Sequence, residues 1–211
     1  MMQPLLDFAG FATNVAESLG PGRRLVMWVR GCQRRCAGCI SPELQKPGIA
    51  EPLGPIVDKL LPLLADMDGL TISGGEPFDQ AETLVALLDI LRAQQDCEVL
   101  VYTGYTIEEL HAGDAAWDAL LQRIDLLIDG VFIEEQSNNL QWRGSDNQRV
   151  HLLSPRAQRY AATKDLPMPE TRPVQVQQVI QGQYRVIGIL RRDDLKRYRA
   201  AMAARGMKIE E

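Results

Sequence analysis

The 211-residue chain carries 23 Lys and Arg against 28 Asp and Glu, a formal net charge of −5, with 45% hydrophobic and 24% charged residues. That length predicts one domain, or one with a small appendage, and the acidic balance excludes a broad electrostatic attraction to nucleic acid or to an anionic membrane surface. No apolar run approaches the ~18 residues of a bilayer span. The amino terminus lacks the basic start and continuous apolar stretch of a secretory signal, so a cytoplasmic, reducing location is expected.

The first clear strand is predicted over 24–30, a β-branched and apolar run that ends at Gly31, directly before Cys32. Pro52 and Pro55 introduce a helix with Ile56, Val57, Leu60, Leu61, Leu63 and Leu64 at helical spacing. A short strand over 70–73 follows and runs into Gly74, Gly75, Glu76 and Pro77; Asp79 and Glu82 then form a capping pair for a helix bearing Leu84, Leu87, Leu88 and Leu91. The next strand covers 98–102. After the turn Thr103-Gly104-Tyr105, Thr106 and Glu109 spell a capping box, a further helical stretch covers 114–122, and 125–129 reads as another buried strand. Four strands separated by helical segments make successive βα units, which build a parallel sheet with right-handed crossovers. Beyond residue 132 the rhythm breaks into a polar segment containing residues 142–149, followed by a short strand over 150–153, a proline-bearing loop over 163–173, a hairpin with 174–180 and 184–190 about Gly182, and a helix over 193–205 that stops at Gly206. The division expected is a core over 1–153 with a C-terminal extension over 154–211 packed on it.

Three of the four cysteines fall within eight residues: Cys32, Cys36 and Cys39. In a long, core-forming chain such clustering points to metal ligands or redox groups rather than to a disulfide framework. Cys97 stands alone before an apolar run and reads as a small hydrophobe at a strand start. Three thiolates on one loop can hold three vertices of an iron–sulfur cubane and leave one iron open, whereas clusters used only for electron transfer take four protein ligands. The alternative is structural zinc, with His111 or His151 as fourth ligand. Gly74-Gly75-Glu76-Pro77 ends the second strand, where glycines permit close backbone approach and a carboxylate can receive an ammonium group; read alone, the motif also suits a helix-initiating turn with Pro77 at its first position. The two motifs share the strand-end side of one sheet, where parallel α/β folds keep their active sites.

Residues 32–39 (Cys-Gln-Arg-Arg-Cys-Ala-Gly-Cys) and 73–77 (Ser-Gly-Gly-Glu-Pro), in this order and separation, resemble the radical S-adenosylmethionine (SAM) enzymes. Within that superfamily the chain is most similar to the short activating proteins of anaerobic ribonucleotide reductase and other glycyl-radical enzymes, through Gly20-Pro21-Gly22, Ser41-Pro42-Glu43, residues 102–105, Asp129-Gly130 and residues 142–149. The resemblance spans 20 to about 153 and is looser beyond. It implies a partial β/α barrel, with a short C-terminal hairpin and helix, and a 4Fe-4S cluster on Cys32, Cys36 and Cys39 whose fourth iron is chelated by the amino and carboxylate groups of SAM. Glu76, with Gly74 and Gly75, would hold the SAM amino group, and Gly38 would offer backbone to the adenine.

The same resemblance makes Thr103 and Asp129 candidate polar contacts of SAM, with Thr103 equally suited to a turn. Alternation along a strand points Asn147, Arg149 and His151 to one side, and if that side faces the barrel mouth Arg149 or His151 could meet the SAM carboxylate or the substrate, a surface-exposed Arg149 being the other reading. Trp142 reads as a packing residue. Arg30, Arg34 and Arg35 form a basic collar that could tune the cluster or meet an electron donor such as a flavodoxin. The implied activity is reductive cleavage of SAM to install a glycyl radical on a partner enzyme. A radical SAM catalyst acting on a small molecule or peptide is the alternative, and a zinc- or cluster-stabilised interaction module the non-catalytic one. Gly38 and Ile40 depart from the aromatic residues that many members place around the third cysteine, and the cysteine count leaves no second cluster.

Overall fold

A computed structural model describes residues 4–137, 139–168, 174–180, 183–190, 192–206 and 208–209. Strand β1 (Leu5–Leu6) precedes β2 (Phe8–Ala16), which pairs antiparallel with β3 (Arg23–Val29). After the cysteine loop come β4 (Glu51–Pro52), paired with β1, then α1 (Leu53–Leu64), β5 (Gly69–Gly74), α2 (Ala81–Gln94) and β6 (Glu98–Tyr102). Short helices α3 (Ile107–His111) and α4 (Ala115–Leu121) lead to β7 (Leu126–Asp129), and β8 (Arg149–Leu152) follows the polar segment. The tail contributes β9 (Gln175–Ile180), β10 (Gln183–Ile187), α5 (Arg192–Ala203) and β11 (Lys208–Ile209).

The six-stranded sheet has the order β2-β3-β5-β6-β7-β8. Its four central strands are parallel, as the βα rhythm predicts, and each edge is closed by an antiparallel strand. The expected α/β class with a largely parallel sheet is thus found. Strand β2 went unread because its small residues give no strict alternation and its pairing with β3 is broken by two register shifts.

Alternation along the strands sends Leu25, Met27, Val29, Leu70, Ile72, Val99, Val101 and Leu127 toward the helices, where they join Ile56, Leu60, Leu64, Leu84, Leu87 and Leu91 in the main core. Cys97 is 5% exposed within that core, as a small hydrophobe should be. The opposite face carries Val26 and Trp28 in one cluster and Leu100, Leu126, Ile128 and Val150 in another, the latter sealed by Trp142, whose ring meets Tyr160 edge-on at 5.7 Å. The packing role read for Trp142 is what the fold gives it.

At the foot of that opposite face lies a charged group that the sequence did not announce. Arg24 is fully buried, donating from Nη1 to Glu98 Oε1 (2.8 Å), from Nε to Thr71 Oγ1 (3.0 Å) and from Nη2 to the Leu70 carbonyl (2.6 Å). Burying a guanidinium is tolerable only with such pairing and near-complete satisfaction of its donors.

The proposed capping box of Thr106 and Glu109 is present on α3, and Asp114 caps α4. The Asp79–Glu82 pair does not cap α2. Instead residues 77–80 form a 3₁₀ turn whose first N–H groups are met by Glu76, and Asp79 accepts from the Tyr105 hydroxyl at 3.0 Å. The hairpin of the tail is antiparallel as expected, while its turn at Gln181 and Gly182 and residues 169–173 of the proline-bearing loop lie outside the described residues. No helix among the described residues is long and apolar enough to cross a membrane.

Candidate active site

The root of the cysteine loop, Gly74, Gly75, Glu76, Thr103, Asp129, Arg149 and His151 lie at one end of the sheet, where β3, β5, β6 and β7 finish and β8 begins. Gly31, in a left-handed conformation (φ 80°), turns the chain out of β3 into the cysteine loop. The loop's return is fixed by backbone bonds: Gly31 N–H donates to Leu44 O (2.9 Å) and Cys32 N–H to Gln45 O (3.0 Å). Inside it Arg35 and Gly38 are also left-handed (φ 46° and 75°), and Cys39 N–H donates to Cys36 O. The three thiols are free and half-buried. Burial raises the Cys32 thiol, while the backbone N–H groups of Arg34 and Arg35 bond it and pull the other way. Such N–H groups stabilise a thiolate, the form that binds a metal.

The histidines weighed for a zinc site lie beside carboxylates instead. His151 Nε2 lies 3.0 Å from Asp129 Oδ2, and His111 Nδ1 lies 3.9 Å from Asp118. Among the described residues no three His, Cys, Asp or Glu side chains converge on one ion position.

The glycines after β5 have a different first duty from the one read in the sequence. Gly75 N–H donates to Val29 O and Glu76 N–H to Gly31 O, both at 2.7 Å, so the β5 end is bonded directly to the root of the cysteine loop. A Cβ on Gly75 would stand 2.2 Å from Gly31 O, and one on Gly74 2.4 Å from Val29 O. Backbone-to-backbone contact thus requires glycine at both positions before any ligand is considered.

Glu76 is 1% exposed. Its Oε1 accepts from Phe78 N–H (3.0 Å) and Thr103 Oγ1 (2.8 Å), and its Oε2 from Gly104 N–H (2.8 Å). Burial pushes the carboxyl up to about 7 despite these three donors. A carboxylate offers about four acceptor positions, so one more hydrogen bond can still be taken. Gly104, which the sequence reading assigned only to a turn, is the missed partner here; the turn dipeptide at a strand end was its one signal.

The remaining candidates are brought together into a frame. Thr103 donates to Glu76 and accepts from Tyr105 N–H (3.1 Å), which is the turn role. Asp129, fully buried, accepts from Ile107 N–H (2.8 Å), from Arg149 Nη2 (2.5 Å) and from the Arg149 backbone N–H and Nε (3.2 Å each). Burial would raise its carboxyl, but the bonds from His151 and Arg149 prevail and hold it far below the usual range. Arg149 also forks onto Glu108 (2.8 and 2.6 Å). Arg149 therefore satisfies Asp129, with His151 Nε2 beside the same carboxylate at 3.0 Å, tying β7, β8 and the start of α3. Gly38 sits apart from them, where a Cβ would meet the Glu134 side chain. Of the basic collar, Arg35 is exposed, Arg30 packs beside Gly48, and Arg34 reaches across to Tyr105.

Residues 18–151 match the family model described as a 4Fe-4S single cluster domain. The chain is 36% identical over 144 residues to the anaerobic ribonucleoside-triphosphate reductase-activating protein of Vibrio cholerae, a match covering 64% of this chain and 91% of that protein. It is 30% identical over 143 residues to the protein of the same name from Escherichia coli (64% and 91%), and 28% identical over 137 residues to that of Enterobacteria phage T4 (62% and 85%). With a cysteine loop rooted on a parallel sheet and a family match across most of that sheet, the chain belongs to the 4Fe-4S single cluster domain family, among the radical SAM activating proteins.

Proposed function

We propose that this protein is a glycyl-radical activating enzyme built on a partial β/α barrel, acting on a partner such as an anaerobic ribonucleotide reductase. The observation that carries the reading is the direct bond from Glu76 N–H to Gly31 O, which joins the expected nucleotide cradle to the root of the expected cluster loop. The donor set suits the cofactors: three partly accessible thiols on one curled loop, and beside them a buried carboxylate with acceptor capacity to spare.

Cys32, Cys36 and Cys39 would hold the 4Fe-4S cluster. When bound, the cluster and SAM would supply the electron and the radical chemistry needed to take a hydrogen atom from a partner's glycine. This chain's residues bind and orient. The Glu76 carboxylate would accept the SAM ammonium as its fourth hydrogen bond, and that cation would bring the carboxyl back toward its ordinary range. Gly74 and Gly75 bring the cradle against β3. Thr103 and Gly104 keep the carboxylate aimed, and Asp129 with Arg149 and His151 keeps the ends of β7 and β8 in register with it.

The test is anaerobic reconstitution of the full chain. About four irons per chain, 5′-deoxyadenosine formed from SAM under a strong reductant, and a glycyl-radical signal on an added anaerobic ribonucleotide reductase are expected. Cys36→Ala should lose cluster and cleavage while keeping the fold. Retained cleavage in that variant, or zinc in place of iron, overturns the reading.

A further inference from the structure

One side chain of the cysteine loop leaves the loop altogether. Arg34, between Cys32 and Cys36, lays its guanidinium 3.8 Å from the ring centroid of Tyr105 and donates from Nη2 to Glu109 Oε2 at 2.8 Å. Its stem runs over Gly104, where a Cβ would stand 3.0 Å from Arg34 Cγ. The acceptor is held in advance, because the same Glu109 oxygen closes the α3 capping box on Thr106 N–H at 2.7 Å. The stacking ring is held too, by the Tyr105 hydroxyl donating to Asp79 and by Gly130 N–H donating to the Tyr105 carbonyl (2.9 Å). The Arg34 guanidinium thus meets two groups whose positions are already fixed, and a planar cation stacked on a ring and hydrogen-bonded to a carboxylate loses little freedom on docking.

The turn under Arg34 is the one that fastens Glu76: Gly104 N–H donates to the Glu76 carboxylate, and Tyr105 N–H to Thr103, whose hydroxyl donates to that carboxylate as well. We propose that Arg34 is a positioning residue, a latch that holds the loop of Cys32, Cys36 and Cys39 against the Gly104–Tyr105 turn and so sets the spacing between the cluster and the amino-acid end of SAM. This rests on the function proposed above. Arg34 touches no reacting atom; it acts through Tyr105 and Glu109. A solvated member of a basic collar would act by charge alone, and the stack and the capping-box acceptor distinguish the two.

The experiment compares wild type, Arg34→Met, Arg34→Lys, Tyr105→Leu and the Arg34→Met/Tyr105→Leu double variant in the full chain. In iron-free protein, iodoacetamide should label Cys32, Cys36 and Cys39 about fivefold faster in either Arg34→Met or Tyr105→Leu, the scale of one partly exposed cation–π contact with an ion pair, and no faster again in the double variant. In reconstituted protein, iron content should stay at the wild-type value while the KM for SAM rises about fivefold to tenfold with kcat little changed, and Arg34→Lys, which keeps charge without the planar stacking group, should lie between. Unchanged labelling and unchanged KM in Arg34→Met overturn the latch, as do losses that simply add in the double variant, or full rescue by lysine, which would mean charge alone. Should Arg34→Met fail to fold, Tyr105→Leu and Arg34→Lys carry the same comparison. Wild-type protein that binds iron but gives no spectroscopic response to SAM brings down the underlying function, a result distinct from a normal wild-type response with an unaffected Arg34→Met.

Discussion

The stretch that holds the family match, residues 1–153 (the core), and the remainder, residues 154–211 (the extension), are built on opposite electrostatics. Residues 1–153 hold 11 basic and 22 acidic side chains, a net −11, whereas residues 154–211 hold 12 and 6, a net +6. The core is organised by backbone pairing and a continuous apolar interior. The extension, which lies outside the family match, is tied to it by arginines: Arg159 to Glu98 (2.6 Å) and Arg156 to Asp96 (2.8 Å) and Asp125 (3.6 Å). It also adds buried apolar contacts: Ala157 (0% exposed) among Leu100, Leu126, Ile128 and Trp142, and Ile187 (2% exposed) among Ala12, Val15, Val26, Trp28 and Leu44, with the Arg185 guanidinium 5.4 Å from the Trp28 ring centroid. A modest overall charge of −5 therefore conceals two strongly charged parts that compensate each other, and the near-neutral total says little about either surface.

Glu98 is where the two parts meet, since it accepts from Arg24 of the core and Arg159 of the extension. The most damaging substitution should therefore be Glu98→Gln, which leaves a buried guanidinium uncompensated and should cost about 3–5 kcal/mol in urea unfolding. A cost below ~1 kcal/mol would mean that the pair is not buried as described. Next comes Ile187→Ala, a large-to-small change in a packed contact, expected to cost about 2 kcal/mol or somewhat more; no loss would show that the extension does not depend on its apolar seat. Arg159→Met removes only the half-exposed side of the Glu98 interaction and should cost about 1 kcal/mol or less, shrinking further in high salt.

A prediction of slope rather than size concerns Glu76 in iron-free protein. Its carboxyl is raised by burial to about 7, so between the unfolded value near 4.5 and about 7 the native state binds more protons than the unfolded one. Stability attributable to this group must fall as pH rises through that window and level off above it. Glu76→Gln should lower stability overall, because Gly104 N–H loses its acceptor, and should also abolish that slope. Persistence of the slope in Glu76→Gln would assign it to another group.

How much of this was legible in the sequence differs between the same two parts. In the core, β-branched runs ending in glycine and the capping box at Thr106 located β3, β5, β6, β7 and α3 because each signal is local. The residues that gather at the strand ends were also named, but their partners were not. That Glu76 would be met by Gly104, or that Asp129 would absorb Arg149 and His151, depends on register between strands far apart in sequence. The Arg24–Glu98 pair was invisible for the same reason: a charged residue at a strand's first positions ordinarily marks a solvated end, and only the assembled sheet buries both. In the extension the strands and helix were readable, but not what they cover.

Because Glu98 belongs to β6 and Arg24 to β3, with β5 lying between them, the acceptor for Arg159 exists only after three parallel strands have come into register. A polypeptide emerging from its amino end would complete that arrangement before the arginine is synthesised. The last quarter of the protein is then a late clasp, added to a scaffold whose central strands have already paired.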